Sequence, residues 1–259
     1  MFRRRRRVVS GIELEASSSH PGQQLKSLGG EIIVPVYIVC DESASMEAIG
    51  GIAAVNQALR DLHAEVAADP LVSDMFHFGL IGFCDEAEEL MSLTKLSDVV
   101  AMPGMHGRGV TNYGPVFDLL KQVISRDIEN LKSGGFEVFR PLVLFITDGE
   151  PTDNPAWENS YCSLMDKATF RQYPNIVAVG FEGADEMTVS GVGSVAALMF
   201  DPSFGHSLGL SQVVWCLREN LFHAAGAQLQ AMQVQLPGIW MAGARNIEIR
   251  EIKSSGSSN

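Results

Sequence analysis

The 259-residue chain has no C-x-x-C among its four cysteines, no H-x-H or H-E-x-x-H among its six histidines, and no stretch that mixes the two. A zinc site therefore has no ligand set to stand on. Cys40, Cys84, Cys162 and Cys216 are widely spaced, and Cys40 and Cys84 fall in apolar, strand-like runs, so they read as reduced core thiols. No apolar run approaches the roughly 20 residues that a spanning helix needs. Met1-Phe2 is followed by Arg3 to Arg7 without the apolar segment of a secretory leader, which predicts a cytoplasmic protein. No G-x-x-x-x-G-K-[ST] loop is present, so no ATPase motif is expected.

Basic charge is scarce as well: 19 Lys and Arg stand against 31 Asp and Glu, a net charge of −12. Arg3 to Arg7 supply five of the positive charges, and the rest of the chain carries −17 without them. Such a body repels nucleic acid. The Arg run reads as a solvated end, or as an arm for phosphate or an acidic surface.

What is present is a large apolar fraction, 46%, with a mean hydropathy of +0.10. That is enough for the core of one large domain with appendages. Residues 1–30 read as an arm and a Ser/Gly/Pro-rich linker, 31–225 as the domain, and 226–259 as an extension with a strand and a flexible tail from 253. Near-continuous Val, Ile, Leu and Phe runs predict strands at 32–40, 75–84, 141–147, 175–181 and 195–200, with a short strand at 87–92 as an antiparallel edge. Helices are expected over 47–68, where Asp69-Pro70 halts the pattern, and over 113–132, 156–172 and 208–224, with a brief segment at 184–190. Apolar strands alternating with helices predict an α/β fold: a doubly wound, mostly parallel sheet covered on both faces. Ile12–Glu15 and Ile247–Arg250 alternate with period two and are expected to pair with each other.

Chemistry concentrates where two of these strands end. Val36 to Cys40 runs into Asp41-Glu42-Ser43-Ala44-Ser45, and Leu142 to Thr147 runs into Asp148-Gly149. Between them Gly107-Arg108-Gly109-Val110-Thr111-Asn112 offers another hydroxyl in a glycine-flanked loop. The strands that carry Asp41 and Asp148 are then expected to be central neighbours, so that Asp41, Ser43, Ser45, Thr111 and Asp148 meet at the carboxyl edge of the sheet, where open α/β folds place their sites. Five oxygens suit an octahedral ion that keeps one position open, which favours Mg2+ or Mn2+; Ca2+ prefers six to eight oxygens and more carboxylates. The plainer reading of Asp-x-Ser-x-Ser is a capped turn into a helix, since Ser and Asp are good N-caps.

Asp-x-Ser-x-Ser, then Thr, then Asp resembles the metal-ion-dependent adhesion site (MIDAS) of von Willebrand factor A domains, over roughly residues 31–225. The resemblance implies a protein-binding module in which Ser43, Ser45 and Thr111 ligate the ion directly. Asp41 and Asp148 would do so directly or through water, and a Glu or Asp of a partner protein would complete the shell. Thr147 to Asp153 looks especially like the bacterial tellurite-resistance-associated members, implying a stress-response role. Arg108 and Val110 depart from the commoner Gly-Gly-Thr form of the family's Thr loop.

An alternative is a metal-assisted hydrolase or phosphatase using the same ion, which requires a general base beside it. His106 is the only His near in sequence, and it reads as an exposed loop residue. Gly205-His206-Ser207-Leu208-Gly209 matches a nucleophile elbow, yet no acid and His follow that could serve Ser207. Gly191-x-Gly193-x-x-Ala196 precedes a strand instead of following one, so it reads as a loop. The cluster Asp85, Glu86, Glu88 and Glu89 reads as a solvated edge that discourages strand pairing.

Overall fold

Ten residues of mostly β-branched character, Ile32–Asp41, form strand β1, and all after the first are buried. A strand buried on both faces belongs inside a sheet that is covered on both sides. The structure, a computed structural model, describes residues 31–181, 183–200 and 244–246. In chain order the strands after β1 are β2 (Phe76–Phe83), β3 (Ala87–Lys95), β4 (Glu137–Val138), β5 (Leu142–Thr147), β6 (Asn175–Gly180), β7 (Ala196–Phe200) and β8 (Ala244–Asn246). They assemble in the order β3-β2-β1-β5-β6-β7-β8, with β4 pairing the start of β1. β1 is parallel to β2 and β5, and β3 and β8 are antiparallel edges. The expected doubly wound α/β sheet is thus present, and the strands that end in Asp41 and Thr147 are neighbours. Among the described residues no helix is long and apolar enough to cross a membrane.

Pro35 in a central strand needs an explanation, because proline cannot donate to a ladder. Glu31 and Ile33 turn their carbonyls to Glu137 and Phe139, so this stretch's odd residues face the β4 side. β1 leaves β4 at Ile33 and meets β5 at Val36, which puts the missing N–H of Pro35 in the break between the two strands.

Among the described residues six α-helices cover the sheet: α1 (Ala44–Ala48), α2 (Gly51–Ala67), α3 (Pro70–Met75), α4 (Tyr113–Ser133), α5 (Trp157–Met165) and α6 (Glu186–Val192). α2 and α3 lie on a largely aliphatic layer that holds Val34, Val36, Ile38, Leu59 and Leu62. α4 and α5 lie on the other, where Phe83, Tyr113, Phe117, Phe145, Trp157 and Tyr161 pack ring against ring.

Several expected bounds change. The helix expected over 47–68 is two helices, because Gly50 takes a left-handed φ of 77° that ends α1 and starts α2. Asp69-Pro70, expected to halt a helix, also starts one: Asp69 accepts the Leu71 and Val72 N–H groups, and Pro70 opens the first turn of α3. The helix expected to 172 stops at Met165, where the Asp166 side chain accepts the Ala168 N–H and Thr169 hydroxyl instead. β3 runs to Lys95, β4 was not foreseen, and 184–190 contains most of α6. Of the Gly191, Gly193 and Ala196 segment expected to be a loop, Gly191 belongs to the last turn of α6 and Ala196 opens β7, and the loop is confined to the residues from Gly193 to Val195. Cys40 and Cys84 are buried free thiols. The Arg3–Arg7 arm, the 12–15 and 247–250 pairing, the 208–224 helix, Ser207 and the tail lie outside the described residues; from the extension, Ala244–Asn246 pairs with β7.

Candidate metal centre

The direction of chain connection reverses between β1 and β5, and a crevice opens at such a point outside the strands' carboxyl ends. Asp41 closes β1 there and is fully buried. Its Oδ1 accepts the Ser43 N–H at 2.8 Å and its Oδ2 accepts the Thr147 hydroxyl at 2.7 Å. Thr147, the last residue of β5, in turn accepts the Gly149 N–H at 3.2 Å. The Tyr113 hydroxyl donates toward Thr147 Oγ1 at 3.1 Å and the Gly149 carbonyl at 3.2 Å. Asp41 and Thr147 thus stand on the aromatic face of the sheet, tied to its core through one phenol.

Ser43 decides between the two readings of Asp-x-Ser-x-Ser. It occupies the N-cap position of α1 with an extended backbone, yet its side chain makes no capping hydrogen bond. Ser43 Oγ lies 2.9 Å from Ser45 Oγ and 3.5 Å from Asp148 Oδ1 instead, and the Ser45 hydroxyl donates to Asp148 Oδ1 at 3.1 Å. Thr111 joins from the side. A Cβ on Gly149 would stand 3.2 Å from Thr111 Oγ1, so the Thr111 side chain lies against the residue after Asp148. Its carbonyl accepts the Thr152 N–H at 2.7 Å and the Thr152 hydroxyl at 3.0 Å, and the next N–H, from Asn112, goes to Cys84 O. The structure therefore brings all five expected residues together.

The all-oxygen donor set fits a hard divalent cation. Ligands about 2.0–2.1 Å from Mg2+ stand about 3 Å apart along an octahedral edge, whereas about 2.3–2.6 Å to Ca2+ spreads them to about 3.3–3.7 Å. The sides of the Ser43, Ser45, Asp148 oxygen triangle, 2.9, 3.1 and 3.5 Å, span both ranges, so the three oxygens are spaced to share one divalent ion without selecting its size. Charge points the same way. Burial pushes the Asp41 carboxyl up to about 6, the Asp148 charge adds to the rise, and the hydrogen bonds from Thr147 and Ser43 oppose it. A divalent ion would relieve both carboxylates at once.

Four residues that the motif did not mark support this site. Thr147 orients Asp41, and Tyr113 orients Thr147. Asp153 accepts the Tyr113 N–H at 3.0 Å and the Gly114 N–H at 2.7 Å, capping α4 from across the site. Glu42, only 2% exposed, accepts the His106 N–H at 2.9 Å. Strand alternation alone placed Thr147 on the face of Asp41; the other three approaches depend on tertiary contact. His106 is exposed, as expected of a loop residue, and engages Glu42 through its backbone N–H. The acidic cluster is more than a solvated edge: Glu88 pairs with Arg108, Glu89 is held bidentately by Arg126, and Asp85 accepts the Val110 N–H.

No protein-family model matches the chain, and no curated protein does. Solved structures do. Proximal thread matrix protein 1 from the mussel byssus superposes with a TM-score of 0.51 at 14% identity, over 75% of this chain and 49% of its own. A von Willebrand factor type A protein from Catenulispora acidiphila superposes with a TM-score of 0.50 at 14% identity, over 71% of this chain and 42% of its own. The mussel protein has also been solved with zinc occupying its MIDAS motif, at a TM-score of 0.48 and 15% identity over 75% of this chain and 49% of its own. The chain spans about half the length of these proteins. At such identities the likeness establishes the fold, that of a von Willebrand factor A domain.

Proposed function

We propose that this chain is a metal-dependent protein-binding module. Asp41, Ser43, Ser45, Thr111 and Asp148 hold a Mg2+, or a Mn2+, and a Glu or Asp of a partner protein completes its coordination. The observation that carries this reading is the Ser43 side chain, which stands at a helix N-cap, ignores the cap, and converges with Ser45 on the Asp148 carboxylate. Three of the five ligands are neutral hydroxyls, so the bound ion keeps positive charge to offer. A chain whose net charge is −12 otherwise opposes an approaching carboxylate, which makes the ion the local source of attraction.

The Thr147 to Asp153 run supports placing the module among bacterial tellurite-resistance-associated proteins, in a cytoplasmic stress response. A domain over 31–225 carrying an Arg3–Arg7 arm for an acidic surface completes the proposal. Affinity capture on the full chain in Mg2+, in EDTA and with Thr111→Ala tests it. Partner binding is expected only for the wild type in Mg2+; a partner held equally in all three overturns the assignment.

A further inference from the structure

Glu42 fills the first variable position of Asp-x-Ser-x-Ser and carries a buried carboxylate that is not among the five ligands. Its main chain and side chain both bind the loop that leads to Thr111. The Arg108 N–H donates to Glu42 O at 2.6 Å, the His106 N–H donates to Glu42 Oε1 at 2.9 Å, and two residues after Glu42 the Ala44 N–H donates to Gly109 O at 3.3 Å. The Glu42 N–H is anchored to Phe83 O at 2.7 Å on β2. β2 leaves room for the carboxylate: a Cβ on Gly82 would overlap Glu42 Oε2. The Arg108 guanidinium, 53% exposed and 3.5 Å away, adds little.

From this geometry we infer that Glu42 is a positioning residue: its Oε1 holds residues 106–110 so that Thr111 is presented to the ion, and it sets metal affinity without touching the metal. The inference rests on the metal-site reading. Because the acceptor atom does the holding, glutamine should replace glutamate and alanine should not. Because Glu42 acts through Thr111, the two residues should fail together.

The test is Mn2+ titration of the full chain followed by electron paramagnetic resonance, with melting curves in EDTA to register fold. Glu42→Ala should weaken Mn2+ binding about tenfold or more, Glu42→Gln should restore most of it, and Thr111→Ala should add little to the loss in the Glu42→Ala background. Gly82→Ala, which crowds the carboxylate from the neighbouring strand, should weaken binding in the same direction with little change in the EDTA melt. Independent, multiplying losses from Glu42→Ala and Thr111→Ala, or a glutamine no better than alanine, overturn the inference while the metal site stands. If Glu42→Ala does not fold, the other two variants decide: unaltered affinity in Gly82→Ala, or a folded Glu42→Gln that fails to bind, overturns the inference. A wild type that binds no Mn2+ overturns the metal-site reading itself.

Discussion

The two layers that flank the sheet differ in kind. Under α2 and α3 the buried side chains are mostly Val, Leu, Ile and Met, which pack without directional demands. Under α4 and α5 they are rings at fixed angles, and one of them, Tyr113, projects a hydroxyl to Thr147 and from there to Asp41. The aliphatic layer supplies stability; the aromatic layer supplies stability and also sets the pose of a site carboxylate. Strand alternation explains the asymmetry, since Asp41 and Thr147 share parity with Tyr37, Val39, Val143 and Phe145.

The sharpest way to break this comparison is a matched pair of core truncations. Leu62→Ala on the aliphatic side and Phe117→Ala on the aromatic side should each cost about 2–5 kcal/mol, because both side chains are fully buried. Only Phe117→Ala, which removes a ring packed on Tyr113, should also weaken divalent-ion binding. Chemical denaturation with metal titration reads both, and equal metal loss in the two variants would erase the distinction.

A smaller effect concerns charge. The folded, metal-free protein holds the Asp41 carboxyl at about 6, above its ordinary value of 3.8. A raised acid makes the folded state the better proton binder, so this group's contribution to metal-free stability falls as pH rises from about 4 through 6. Asp41→Asn should therefore stabilise the metal-free protein at pH 7 by on the order of 1–3 kcal/mol and flatten that slope, while abolishing metal binding. Melting in EDTA between pH 4 and 7.5 measures it, and a variant that melts lower at pH 7 would contradict the raised carboxyl. In the wild type, metal affinity should decline below pH 6 as protons compete for Asp41.

The smallest expected change is Tyr113→Phe. It deletes one hydroxyl and leaves the ring, so it should cost about 1 kcal/mol and loosen metal binding a few-fold through Thr147. Calorimetry on the variant would sharpen the link between layer and site; unaltered metal affinity would show that Thr147 keeps its place without the phenol.

Most of the strands and the five candidate metal-site residues were legible because each rests on a local signal: an apolar run of fixed length, or an oxygen at or near its end. The adjacency of β1 and β5 followed from the same runs, through the rule for where crevices form. Gly50-Gly51 carried a break signal, and the Ala-rich apolar pattern that continues through it masked that signal; Gly50 takes a φ of 77° there. Asp69-Pro70 carried a start signal as well as a stop signal, and the periodicity around it favoured the stop. Glu42 and Asp153 escaped for another reason. Each serves a backbone N–H distant in sequence, His106 and Tyr113, and no spacing rule predicts which loop will lie under a given carboxylate. The glycine at 82, facing a buried acid from the next strand, was the one trace of Glu42 in the sequence.

Everything proposed for this chain depends on five oxygens, at the ends of β1 and β5 and in the loop before α4, holding one divalent ion. Equilibrium Mn2+ binding to the full chain, competed with Mg2+ and repeated on Asp148→Ala, tests that most directly. The expected result is a single site per chain in the wild type that Mg2+ displaces, and no site in a variant that still melts cooperatively. Mn2+ binding of the same affinity in the Asp148→Ala variant, or none in the wild type at neutral pH, would contradict it.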